Sequence, residues 1–116
     1  MYKLTTQSLL LACLIFSFPV FAQEKPPLVG NGAHQCSLML SNIRKEKDIK
    51  DSYSQWVFGF MSSLALVHSQ PVFDLSNPEE IWLAIETICE KNPKQHVFEA
   101  SSVVYLQLLE ILLNKK

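Results

Sequence analysis

The residues of this chain best suited to chemistry are two cysteines and a histidine. His34 stands two positions before Cys36, and Cys89 follows in the segment ICEKNP, Ile88 to Pro93. A thiolate beside an imidazole base is the nucleophile pair of acyl-transfer enzymes. Two thiols in an oxidising compartment close into a disulfide instead. The compartment therefore decides what these residues can do.

The N-terminus reads as an export signal. Lys3 precedes the apolar run from Leu9 to Phe21, and the small-residue spacing Val20-Phe21-Ala22 precedes Gln23. These are the three regions of a secretory signal peptide, over residues 1–22, with cleavage expected after Ala22. A membrane-spanning helix needs about 20 apolar residues; this run is shorter and contains Pro19, so cleavage is favoured over retention. Leu10-Leu11-Ala12-Cys13 is the weaker alternative, a lipoprotein box. Leu11 is bulky for that role, and the apolar run continues past Cys13. The expected destination is the periplasm. Cys13 leaves with the leader, so the mature chain keeps Cys36 and Cys89, an even pair that reads as a disulfide. Closing the long loop between them would contribute about 4 kcal/mol by restricting the unfolded chain.

Other chemistry is sparse. His34, His68 and His96 form no HExxH motif and no i,i+4 pair, there is no CxxC, and the mature chain's glycines, Gly30, Gly32 and Gly59, make no phosphate loop. Glu79 with Glu80 and Glu86 with Glu90 fit capping and a solvated helix face better than acid-base work. Ser62, Ser63, Ser101 and Ser102 lack a nucleophile elbow. The reading is of a non-enzyme with no catalytic, cofactor-binding or metal-ligating residues. After residue 22, nine Lys and Arg stand against eleven acidic residues, a formal charge of −2, which offers nothing to nucleic acid. Membrane contact is expected only through the leader.

Residues 23–33, with two prolines and two glycines, read as a flexible lead-in to one domain over 34–116. A first helix is expected from His34 to Arg44, with Cys36, Leu40 and Ile43 on one face. The charged stretch Lys45–Lys50 links it to a second helix, Ile49–His68, with Asp48 as N-cap. That helix carries Tyr53, Trp56, Phe60, Ser63 and Val67 on one stripe, and Val57, Met61 and Leu64 beside it. Gly59 has two readings, close packing of another element or a tolerated glycine. The stretch Ser69–Ser76 reads as a loop broken by Pro71, with Val72, Phe73 and Leu75 folded over the core or forming a binding surface.

The third helix has strong local signals. Asn77 caps, Pro78 suits the first position, and Glu80 completes a capping-box spacing. Ile81, Ala84, Ile85, Ile88 and Cys89 follow on one face, which turns Cys89 inward. Asn92-Pro93 repeats the same device, so a fourth helix is expected from Pro93 to Leu113. Its two stripes are Val97, Ala100, Val104, Leu108, Ile111 and Phe98, Tyr105, Leu109, Leu112. Either this helix is central, or one stripe is a self-association or partner surface. The fold class is thus all-α, a small four-helix orthogonal bundle with one disulfide. The candidate partner-binding residues are Trp56, Phe60, Phe73, Tyr105, Leu109 and Leu112.

A cysteine on the first helix, Tyr-x-x-Trp-x-x-Gly-Phe (Tyr53, Trp56, Gly59, Phe60), and Cys-x-x-Asn-Pro with a following alanine (Cys89, Asn92, Pro93, Ala100) together resemble the HdeA/HdeB family of small periplasmic proteins. The resemblance covers about residues 34–105. It implies a helical single-disulfide domain, a homodimer at neutral pH, and an acid-stress chaperone that holds client proteins through apolar surface. A second resemblance is to the Tai/Rap-type immunity proteins of type VI secretion, which bind and neutralise a toxin in the periplasm. Members of that group often carry two disulfides.

Overall fold

A computed structural model of the protein describes residues 29–116. The expected leader and most of the lead-in lie outside the described residues. Four α-helices and no strand occur among the described residues: α1 Cys36–Lys45, α2 Lys47–His68, α3 Pro78–Lys91 and α4 Val97–Asn114. A short 3-10 turn at Asn31–Ala33 precedes α1, and another at Val72–Leu75 lies between α2 and α3. The fold is all-α with one disulfide, as its sequence implies.

Each helix boundary has an identifiable cause. α3 starts where its local signals place it: Asn77 Oδ1 accepts from Glu80 N at 2.9 Å, the Asn77 amide donates back to the Glu80 carboxylate at 3.4 Å, and Pro78 fills the first position. The expected charged linker between α1 and α2 shrinks to Glu46 alone, which ends one helix and begins the next. Asp48 is not the N-cap but lies inside the first turn of α2, where its charge suits the helix dipole. At its far end, α2 closes with Ser69 in the left-handed region at φ 51°. Gln70 N donates to Ala65 O at 3.0 Å, the long-range bond of a Schellman cap.

The start of α4 corrects the expected boundary. Pro93 does not open the helix; α4 begins at Val97, behind His96. A helix from Pro93 would direct the Pro93 carbonyl to the Val97 amide. Instead Pro93 O accepts from Ser37 N at 2.9 Å, Gln95 O accepts from Cys36 N at 2.8 Å, and Val97 N donates to His34 O at 2.9 Å. Residues 92–96 thereby satisfy the first amides of α1, which Gln35 leaves without a side-chain cap. His96 N donates to the Glu99 carboxylate at 2.7 Å, so α4 has its own N-terminal anchor.

The disulfide sits beside this junction. Cys36 and Cys89, 53 positions apart with Cα atoms 5.0 Å from one another, join the start of α1 to the end of α3, and both are fully buried. α1 packs on α2 and α3, while α4 packs on α2, α3 and both 3-10 turns. The core is drawn from every helix: Met39 from α1, Tyr53, Val57 and Met61 from α2, Ile81, Trp82 and Ile85 from α3, and Val97, Ala100, Val104 and Leu108 from α4. α4 is long and apolar enough to cross a membrane by length and composition, but its inner face is part of this core.

Of the two readings of the segment after α2, the structure selects one, and a further expectation changes. Val72 is completely buried, so the segment after α2 folds back over the core. The end of the lead-in is packed rather than free. Gly32 is buried against the Trp56 ring, and Asn31 Nδ2 donates to Ser52 Oγ at 2.8 Å.

Candidate partner-binding surface

The side chains with reactive potential are occupied structurally. With the sulfurs of Cys36 and Cys89 joined, His34 has no thiol to serve. Asn42 Nδ2 donates to the Tyr53 hydroxyl at 3.1 Å, and the same hydroxyl is hydrogen-bonded to His34 Nδ1 at 2.7 Å. The far end of α2 has a similar arrangement. The Tyr105 hydroxyl donates to Leu64 O at 3.2 Å and receives His68 Nδ1 at 2.7 Å, with the two rings stacked 5.6 Å apart. Burial pushes the Tyr105 phenol above its usual 10.0. His96 faces Glu99 at 3.4 Å. Among the described residues, no three His, Cys, Asp or Glu side chains gather where a metal ion could sit.

The six residues expected to bind a partner separate into distinct environments. Tyr105 is 1% exposed and belongs to the core of the folded domain, so it is not on the folded surface. Trp56, Phe60, Phe73, Leu109 and Leu112 are half-buried and packed on the core's edge. Trp56 and Phe60 stack with centroids 5.2 Å apart and planes 14° from parallel. Gly30 and Gly32 lie against the same indole, so the lead-in covers part of it. Phe73 lines an open groove of about 470 Å³ with Ser62, Ala65, Leu66, Ser69, Gln70 and Pro71.

The most exposed large apolar residues on helices were not among those expected. Leu66 is 81% exposed, Val67 78%, Leu83 63% and Leu106 58%. Leu66 and Val67 end α2 next to the Phe73 groove. Leu83 lines a second shallow groove between α3 and α4, with Ala84, Ile88 and Gln107. A signal for Leu83 and Leu106 was present: neither belongs to the apolar stripes of its helix, so each is an apolar residue left over for the outside. Val67 was misplaced because the stripe was continued from Tyr53 through Trp56 at i+3 rather than through Val57 at i+4. The buried line of α2 runs Tyr53, Val57, Met61 at i, i+4 and i+8, which turns Ser63 and Val67 outward.

The fold and surface together define a class, the disulfide-stapled helical domain with apolar side chains displayed outside its core. The chain was compared with models of protein families, with curated proteins and with solved structures, and none of the three gives a match.

Proposed function

We propose that the protein is an exported, periplasmic binding protein of the HdeA/HdeB kind, which holds client proteins in solution through apolar surface under acid stress. The observation that carries this reading is the set Leu66, Val67, Leu83 and Leu106, each more than half exposed on a small stapled domain. Isolated exposed leucines are ordinary, but Leu66 lines the Phe73 groove and Leu83 the groove between α3 and α4, and apolar side chains displayed at grooves suit interaction sites. The motif residues fit the same reading. Tyr53, Trp56, Gly59 and Phe60 share one helix, and Cys36 is bonded to Cys89.

Acid supplies a trigger of adequate size. Protonation of eleven carboxylates and three histidines takes residues 23–116 from −2 to +12 in formal charge. Self-repulsion on that scale loosens a small domain. The disulfide would keep the start of α1 and the end of α3 together while it does so, and the core faces of α2 and α4 would become available to clients.

A second reading is favoured by the groove at Ala65, Leu66, Pro71 and Phe73, which is already formed in the folded state. A preformed apolar surface suits an immunity protein that binds and neutralises a secreted toxin at neutral pH. Light scattering of an aggregating client at about pH 2–3, below the ordinary carboxylate range, separates the two. The holding function requires suppression at a several-fold molar excess. An immunity protein gives none, and instead binds one toxin tightly near neutrality.

A further inference from the structure

One dipeptide of this chain is able to modify itself without a catalyst. Asparagine occurs at positions 31, 42, 77, 92 and 114. An asparagine loses its side-chain amide when the backbone nitrogen of the next residue attacks its Cγ. Ammonia leaves, a succinimide ring closes, and water then opens that ring at either carbonyl. One opening gives aspartate, and the other gives isoaspartate, whose main chain runs through the former side chain and is one carbon longer. The neighbour that supplies the nitrogen decides how readily this happens. Pro78 and Pro93 have no N–H with which to attack. Ile43 is branched at Cβ and Lys115 has a long side chain, and both crowd the nitrogen. Gly32 has no side chain, so Asn31 has the one unhindered neighbour among the asparagines.

The same two residues fasten the lead-in to α2. Asn31–Ala33 is a 3-10 turn in which Ala33 N donates to Gly30 O at 3.0 Å. Asn31 Nδ2 donates to Ser52 Oγ at 2.8 Å, and buried Gly32 lies against the Trp56 ring. These contacts slow the reaction, because they hold the Asn31 amide toward Ser52 instead of over the Gly32 nitrogen. Asn31 is nevertheless partly exposed at the edge of the domain, where short openings are least costly. We propose that Asn31 is a site of spontaneous deamidation, and that its isoaspartyl product releases the lead-in from Trp56. There is no room at Gly32 for even one added carbon. A main chain lengthened by a carbon between Asn31 and Gly32 cannot keep both the turn and the ring contact. It also leaves a free carboxylate where the Asn31 carbonyl had accepted from His34 N at 3.2 Å. Once the lead-in is released, the stacked Trp56 and Phe60 rings lose their cover. The apolar surface therefore widens as the chain ages, and refolding does not restore it.

The modification needs neither client nor acid, so its test is independent of the holding function. The purified, oxidised protein is aged in mildly alkaline buffer and its peptides are mapped by mass spectrometry. Conversion of amide to acid should collect at Asn31, and the acidic form separated by anion exchange should contain isoaspartate there. Acrylamide should quench the tryptophan fluorescence of that form more than that of unaged protein. Trp82 lies in the core, so the increase reports Trp56. Ser52→Ala removes the bond that holds the Asn31 amide, and should speed the conversion about threefold or more. Asn31→Gln keeps an amide donor but has to close a larger ring, so it should neither gain acid nor lose its cover. Conversion no faster at Asn31 than at Asn114 overturns the proposal. So does an isoaspartyl form quenched like the unaged protein, or a Ser52→Ala protein that converts at the unchanged rate.

Discussion

Gly32 and Gly59 respond in opposite ways to the same added methyl group. At Gly32 a Cβ would overlap the Trp56 ring, so Gly32→Ala should cost about 1–3 kcal/mol by overpacking, read from urea denaturation. At Gly59 the space is open, and Gly59→Ala should gain up to about 1 kcal/mol of helix propensity. The sequence left Gly59 with two readings, because a glycine between aromatics looks the same whether its neighbour is another helix or solvent. The true close approach involves Gly32, in a segment whose prolines and glycines read as flexible. That contact joins residues 24 apart and has no local signature. Tyr105 was likewise seen as apolar but not as buried; its neighbours His68 and Leu64 come from a different helix. Its phenol is raised above 10.0, so the folded state holds that proton more tightly than the unfolded chain does. The stability this contributes is whole below pH 10.0 and is lost as pH rises through the raised value. Alkaline titration should show one phenolate appearing only as helical circular dichroism disappears, and Tyr105→Phe should remove that step. At neutral pH the same variant should be less stable by about 1–2 kcal/mol, from the hydrogen bonds it deletes.

The elements differ in legibility according to where their boundaries are decided. α3 was readable almost to the residue, because Asn77, Pro78 and Glu80 act on one another within a single turn. Asn77→Ala should lower stability by about 1 kcal/mol in thermal or urea unfolding. α4 was misplaced by four residues at its start, because the carbonyls of Pro93 and Gln95 are committed to the amides of α1, a tertiary decision that Asn92-Pro93 does not reveal. The end of α2 is decided by Ser69 in a conformation that favours glycine. Ser69→Gly should therefore stabilise the protein by about 1 kcal/mol, measured as a higher urea midpoint at unchanged slope. On the candidate surface, period alone distinguished inner from outer faces only when counted from the right residue. Tyr53, Val57 and Met61 set the phase of α2, while the larger aromatics Trp56 and Phe60 drew attention to the flank.

At the scale of the molecule, pairing of two inward-facing cysteines made the disulfide readable, and four periodic segments made the all-α class readable. The apolar exterior was less so, since exposure depends on which helix covers which. The cross-link is a large share of what a domain of this size has to spare. Cys36→Ser with Cys89→Ser should lower stability by about 4 kcal/mol, with reduction of the native protein having a similar effect. The proposed holding function would have the molecule loosen in acid without coming apart, and its charge change and its staple suit that proposal. The holding of apolar clients is tested most directly by light scattering of an aggregating protein at about pH 2–3, with the oxidised protein in several-fold excess. Suppressed scattering, lost when Leu66 and Leu106 are both changed to Ser, is the result expected. Undiminished scattering at that excess contradicts the account.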